Sequence, residues 1–247
     1  MIVYGRNPVR EALRGKRDVS EIWAAGAVAG EEWLSAAAPH RVEADELERL
    51  CGSPDHQGVC ADAGPYPYVD PALLLREDDA LVICLDEIQD PHNLGAVCRV
   101  AESAGAGGVV IPARRSAEVT PAACKASAGA VEHLAVARVP NLANWLGQAK
   151  DAGAWVYGAD ASEAAVPYDQ PDYRGKVVLV LGSEGRGLRP RVAAGCDALV
   201  CLPQRGRVGS LNVSTAAAAL VYGILHLRGG GCRGAITRAY SCEITLE

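Results

Sequence analysis

The sequence predicts an α/β protein built on a parallel sheet, with a smaller α/β unit ahead of it. From Ala80 onward, short apolar runs such as LVICLD, GGVVIP and KVVLVLG alternate with helical stretches, the pattern of a doubly wound sheet. Those runs are continuous rather than alternating, as in strands buried on both faces. A proline-rich, charged stretch, GPYPYVDPALLLREDD, separates them from a first segment of different make-up.

In the first segment, GRNPVREAL starts a helix with Asn7 as its N-cap and Pro8 at its first position. VSEIWAAG reads as a strand, EEWLSAAA as a helix, ADELERLC as a helix closing on Gly52, and HQGVCADA as a last strand. Domain limits follow at 1–64, a linker at 65–79, the sheet domain at 80–228, and a tail at 229–247 without clear periodicity. Within the sheet domain, LVICLD is followed by a helix from Asn93 to Ala104, GGVVIP by PAACKASAGAVEHL, and AVARV by NLANWLGQAKDAG. AWVYGAD, KVVLVLG and DALVCLP complete the strands, and Leu211 to Leu227 forms the last helix.

Composition narrows the function classes. Apolar content of 49% and charged content of 22% are those of an ordinary globular protein. No apolar run approaches the roughly 18 residues of a membrane helix, and the first residues lack the apolar core of a signal peptide. A cytoplasmic protein without membrane contact is expected. The nine cysteines are odd in number and scattered, with no CxxC pair, which favours reduced core thiols over zinc or disulfides. The net charge of −6 disfavours a general nucleic-acid coat, yet phosphate binding needs only a local basic face. Arginine outnumbers lysine twenty to four and clusters at Arg6–Arg17, Arg114–Arg115, Arg186–Arg191 and Arg205–Arg207, which suits either RNA contact or solvated helix faces.

Ligands of open α/β sheets bind beyond the carboxyl ends of the strands, and three polar, glycine-bearing loops fall there. They are DEIQDPHNLGAVCR (86–99), GSEGRGLRP (182–190) and PQRGRVGSLNVS (203–214). A dinucleotide fold requires GxGxxG after its first strand, and a P-loop requires GxxxxGK[ST]; neither pattern is present. Asp86 and Asp90 have no companions that would complete a metal site, so no metal is expected.

In order and spacing these loops resemble the three motifs of the SpoU (TrmH-type) RNA ribose 2′-O-methyltransferases of the SPOUT superfamily. NLGAVCRVAESAGAGGVVIP is similar to motif one, LVLGSEGRGL to motif two and LPQRGRVGSLNVSTAAAALVY to motif three. GRNPVREAL and HQGVCA resemble the start and end of the family's amino-terminal substrate-binding domain, so that the likeness covers roughly residues 1–228. It implies a SPOUT-type catalytic domain with a trefoil knot, a homodimer with its active site at the subunit interface, and S-adenosylmethionine as cofactor. The implied substrate is RNA, with a guanosine of 23S ribosomal RNA nearest in layout; a tRNA, or RNA binding without catalysis, are the alternatives.

The resemblance also assigns residues. Gly182, Leu202 and Leu211 would line the cofactor site. Arg99 matches the family's catalytic arginine. A guanidinium is a poor proton acceptor and a good phosphate ligand, which favours holding phosphate and stabilising alkoxide charge over acting as a base. Asn93 is placed to cap the helix that carries Arg99. Glu184 matches the acidic position of motif two and is expected near Arg99 or the nucleotide. Ser210 and Asn212 match the polar pair of motif three, and Gly209 stands where some relatives carry glutamate. His92 is expected to shape its turn. Arg6, Asn7 and Arg10 would contact RNA phosphates, with Arg114 extending the basic face.

Overall fold

The computed structural model describes residues 1–183, 185–207 and 209–229 of the chain. Glu184 and most of the expected tail lie outside the described residues.

Two sheets form, one in each expected unit. The first has four strands in the order β1-β4-β2-β3: β1 (Ile2–Tyr4), β2 (Glu21–Ala24), β3 (His40–Arg41) and β4 (Val59–Asp62). Helices α1 (Arg6–Arg14), α2 (Glu32–Ser35) and α3 (Ala44–Cys51) accompany it. Helix α3 ends on Gly52 in the left-handed conformation, as its sequence requires. Helix α1 starts earlier than expected. Gly5, at φ +94°, is its cap, so Asn7 lies inside the first turn and Pro8 is its third residue. Strands β1 and β3 have too few residues to give a periodic signal.

The second sheet has seven parallel strands, ordered β7-β6-β5-β10-β8-β11-β9. They are β5 (Leu81–Asp86), β6 (Gly108–Pro112), β7 (Val136–Val139), β8 (Trp155–Ala159), β9 (Val166–Pro167), β10 (Val177–Gly182) and β11 (Ala198–Cys201). The helices are α4 (Pro91–Ser103), α5 (Pro121–Ala126), α6 (Leu142–Asp151), α7 (Pro190–Ala193) and α8 (Val213–Leu227). All six residues of β5 are buried, because both faces of the sheet are covered. Ile83, Leu85, Leu179 and Leu181 face α4 and α8 in one apolar cluster. Val82, Cys84, Val178 and Val180 face Leu142, Trp145, Leu146 and Val192 in another. Strand β10 lies between β5 and β8, so the order reverses beside β5, and a ligand crevice opens at such a switch.

Two expectations change here. PAACKASAGAVEHL is not one helix: α5 stops at Ala126, and a left-handed Gly129 leads into a separate turn at Ala130–Glu132. The segment expected as a linker is fastened along its length. The Tyr66 hydroxyl donates to the Val131 carbonyl at 2.8 Å, the Val119 amide donates to Tyr68 Oη at 2.9 Å, and Val69 bridges to Ala137. Among the described residues, no helix is long and apolar enough to cross a membrane, and the described cysteines are all free thiols.

Candidate functional site

The site grows from the carboxyl edge of the seven-stranded sheet. Strand β10 ends at Gly182 opposite Asp86, the last residue of β5. The chain then doubles back on itself: the Ser183 amide donates to Gly187 O at 3.1 Å, and the Gly187 amide returns to Ser183 O at 2.9 Å. A Cβ at position 182 would stand 2.2 Å from the Gly187 carbonyl carbon. Gly182 is therefore glycine because its own loop crosses over it.

Asp86 is fully buried and holds that loop. Its carboxylate accepts from the Arg189 amide at 2.8 Å and from Arg189 Nε at 2.7 Å, while Arg189 Nη1 reaches Glu87 Oε1 at 3.1 Å. This ties the end of β5 to the far side of the β10 loop. Asp90 caps α4 by accepting from the His92 amide at 2.9 Å. Both aspartates thus have structural tasks, and the described residues include no cluster of three His, Cys, Asp or Glu placed to hold a metal.

Three loops enclose a cavity of about 350 Å³. Gly182, Ser183, Gly185, Arg186 and Gly187 come from the β10 loop, and Leu202, Gly209, Ser210 and Leu211 from the β11 loop. Ala159, Asp160 and Ser162, at the end of β8, close the third side. All three residues expected at the cofactor, Gly182, Leu202 and Leu211, line this one cavity, and Ser210 joins them. The wall from β8 was missed in the sequence. Its signal was Asp160 at the end of AWVYGAD, whose carboxylate accepts from the Ser162 amide at 2.6 Å in a tight turn.

The loop after β5 does not line this cavity. Glu87, Ile88, Gln89, Asp90 and Asn93 line a neighbouring cavity, also of about 350 Å³, and Ser183 and Arg186 belong to both walls. Asn93 was expected to cap α4; Asp90 does so instead, and the helix starts at Pro91. Asn93 reaches across to motif three, accepting from Asn212 Nδ2 at 3.1 Å. Asn212 is the N-cap of α8, its Oδ1 accepting from the Ser214 amide at 2.9 Å. One contact therefore joins the starts of the two helices. His92 is exposed in the first turn of α4.

Arg99 sits elsewhere. It is exposed on the outer face of α4, in a shallow depression shared with Val100, Ser103, Ser214, Thr215, Ala218 and Tyr222. Glu184, its expected partner, is outside the described residues. Of the residues expected at RNA, Arg6 is ion-paired with Glu31, and the Arg10 guanidinium lies 4.9 Å from the Trp33 ring centre. Asn7 is exposed, as is Arg114 just beyond β6.

Comparison with known proteins agrees with this arrangement. Residues 80–222 match the model of the SpoU rRNA Methylase family, and residues 2–69 match that of the RNA 2′-O ribose methyltransferase substrate-binding domain. A Bacillus subtilis protein described as a candidate TrmH-family tRNA/rRNA methyltransferase is 37% identical, with 92% of this chain and 95% of the relative covered. An uncharacterized tRNA/rRNA methyltransferase of Mycolicibacterium vanbaalenii is 40% identical, over 92% of this chain and 76% of its own length. The SpoU methyltransferase AviRb of Streptomyces viridochromogenes, solved in complex with AdoMet, shares the fold. Its TM-score is 0.78 at 24% identity, covering 94% of this chain and 91% of that one. A Porphyromonas gingivalis structure, described as a candidate RNA methyltransferase of the TrmH family, gives 0.72 at 28% identity, covering 90% and 88%. With its motif loops gathered at one sheet edge and both family models matched in order, the chain belongs to the SpoU (TrmH-type) family of RNA methyltransferases.

Proposed function

We propose that the protein transfers a methyl group from S-adenosylmethionine to a ribose 2′-hydroxyl of RNA, with a guanosine of 23S ribosomal RNA as acceptor. The observation that carries this reading is the gathering of Gly182, Leu202, Ser210 and Leu211 around one cavity whose wall is shared with a second. The first suits S-adenosylmethionine. Leu181, Leu202, Leu211 and Leu220 offer apolar surface to a flat adenine, and the glycine loops offer backbone donors and acceptors to its polar edges. When bound, the cofactor supplies an activated methyl group on sulfur.

The protein's part is alignment, proton removal and charge stabilisation. Asn93 and Asn212, bonded to each other, fix the mouth of the neighbouring cavity, where the acceptor nucleotide enters. Arg99 holds a substrate phosphate and stabilises charge developing on the ribose oxygen, and Glu184, outside the described residues, remains the proposed acidic group of the same step. Arg6, Asn7, Arg10 and Arg114 contact RNA phosphates; Arg6 would exchange Glu31 for a phosphate. The trefoil knot belongs to the same proposal, since β10 is laid between β5 and β8, which precede it in the chain. So does a homodimer. Tyr222 is 50% exposed beside Arg99, among the small residues Thr215 and Ala218, a surface suited to a second copy. The domain limits proposed are 1–64, 65–79 and 80–228, in a cytoplasmic protein.

Relatives described as acting on tRNA or rRNA keep tRNA as a second reading. Radiolabelled methyl transfer to ribosomal RNA and to tRNA, followed by mapping of alkali-resistant linkages, separates the two. Binding of RNA without cofactor binding in calorimetry would instead indicate an inactive RNA-binding member of the family.

A further inference from the structure

The amino-terminal unit is seated on the methyltransferase unit through a charge pair that neither sequence segment announces. Arg17 follows α1, and Glu132 lies in the turn after α5. Arg17 Nε donates to Glu132 Oε2 at 2.8 Å, and Arg17 Nη2 makes a second bond to Oε1. Their side chains are only 3% and 1% exposed. Tyr66, from the connecting segment, covers the pair, its ring centre 5.7 Å from the guanidinium.

Two further contacts cross the same boundary. Lys125 Nζ donates to the Asp55 carbonyl at 2.9 Å, and His133 Nε2 stands 2.8 Å from Glu11 Oε2. Gly129 lies directly under α1, where a Cβ would approach Glu11 Cβ to 2.7 Å. Val9, Ala12 and Ile22 share one apolar cluster with Leu94, Cys98 and Ala123.

These observations divide the work between two effects. Apolar burial supplies the attraction, and is tolerant of sliding. A buried charge pair adds little net attraction, because both groups give up hydration to form it. It penalises misplacement instead, since any shifted docking that stays dry leaves a charge without its partner. The unit is therefore held in one orientation. It also rests on the helix that matters: α5 lies against α4, where a Cβ on Gly95 would come within 2.5 Å of the Ala123 carbonyl, and α4 carries Asn93 and Arg99.

We propose that Arg17 and Glu132 are positioning residues for RNA selection. They make the amino-terminal unit a fixed arm, so that the enzyme accepts RNA in which the element read by that arm stands at one separation and angle from the methylated ribose. This rests on the RNA methyl-transfer reading above. The pair touches neither cavity, so cofactor binding is not expected to depend on it.

The test compares wild type, Glu132→Gln, which strands the Arg17 charge, and Arg17→Met/Glu132→Leu, which replaces both charges by apolar groups. Three readouts are needed: small-angle scattering of the full chain, calorimetry with S-adenosylmethionine, and methylation of total RNA from cells lacking the gene, with every modified ribose mapped. Glu132→Gln should broaden the scattering profile, raise KM for RNA about tenfold with kcat within about twofold, and add new sites, while cofactor affinity stays unchanged; an interaction energy of ~1.4 kcal/mol corresponds to that factor. The double variant should restore the compact profile and the original site. Should Glu132→Gln not fold, Lys125→Ala/His133→Ala must show a weaker form of the same pattern. Unchanged KM and unchanged sites in a folded, loosened variant would overturn the proposal. Parallel loss of cofactor affinity and kcat would also overturn it, since general destabilisation would then suffice. If wild type methylates no RNA at all, the RNA reading fails, whereas the scattering result still decides whether the pair fixes the arm.

Discussion

The cavity above β8, β10 and β11 and the outer face of α4 and α8 both carry residues of the three motif-like loops, but only the first is enclosed by the chain's own loops. The cavity is walled on three sides by the chain's own loops, with Gly182, Leu202, Ser210 and Leu211 together. On the helix face, Arg99 and Tyr222 stand in the open. On the proposed function, one chain holds the cofactor by itself, whereas catalysis needs a second copy over the helix face.

The sharpest way to break that contrast is a pair of substitutions. Gly182→Ala should lower affinity for S-adenosylmethionine by roughly a hundredfold or more, because its methyl would stand inside van der Waals distance of the Gly187 backbone and force the loop open. Arg99→Ala should leave that affinity within about twofold in calorimetry while cutting methyl transfer by about 10²–10³, the usual cost of removing a group that stabilises developing charge. Arg99→Lys should stay well below wild type, since a point charge does not replace a planar fork. If Arg99→Ala loses cofactor binding too, the two regions are not separate.

Tyr222→Asp tests the helix face directly. A charge on a half-exposed tyrosine leaves the fold intact, so the thermal midpoint should hold, but self-association measured by analytical ultracentrifugation should weaken by about thirtyfold, typical of losing a buried aromatic anchor. The resulting monomer should bind S-adenosylmethionine and fail to methylate RNA. A monomer with full activity would place the catalytic arrangement within one chain.

The same contrast separates what the sequence disclosed from what it concealed. The runs LVICLD and KVVLVLG gave β5 and β10 directly, since burial on both faces leaves an uninterrupted apolar signature. Glycine-bearing loops at strand ends pointed to the cavity beside β10 and β11 for the same local reason. What stayed hidden depended on distant partners. Nothing near Asp86 announces that Arg189 holds it, and nothing near Asn93 announces Asn212. Residues 65–79 have the composition of a loose connection, but Tyr66 and Tyr68 fasten them to residues some fifty to seventy positions later. Strand order, which places the β5 loop in a neighbouring cavity, is a property of pairing that no local pattern encodes.

Alkaline unfolding probes how dry the layer behind the open face is. Burial pushes the thiols of Cys98, on α4, and Cys124, on α5, up to about 12, against an ordinary value of about 9. Below pH 9 both states keep these protons and the thiols do not affect stability. Between about 9 and 12 the unfolded chain releases them first, so stability should fall as pH rises, by up to about 1.4 kcal/mol per pH unit for each thiol. Cys98→Ala should flatten that decline in denaturant titrations at pH 8 to 10.5. An unchanged slope would mean that water already reaches α4 from the helix face.

Two glycines inside helices give the smallest and most discriminating comparison. Gly95 in α4 and Gly147 in α6 share a helical backbone, and on propensity alone alanine should stabilise both by about 1 kcal/mol. Their surroundings differ. A Cβ at Gly95 would lie 2.5 Å from the Ala123 carbonyl and 2.7 Å from Ala126 Cβ, whereas one at Gly147 would meet nothing within 4 Å. Gly147→Ala should therefore raise stability by about 0.5–1 kcal/mol in urea unfolding. Gly95→Ala should lower it by about 1–3 kcal/mol, the cost of overpacking outweighing the gain in propensity. Because α4 carries Arg99, its displacement from α5 should reach that residue as well, so that Gly95→Ala loses methyl transfer while the cavity walled by the β8, β10 and β11 loops still binds S-adenosylmethionine as proposed. Equal and positive effects at the two glycines would show that α4 and α5 are not in close contact, and the helix face would then have no rigid support.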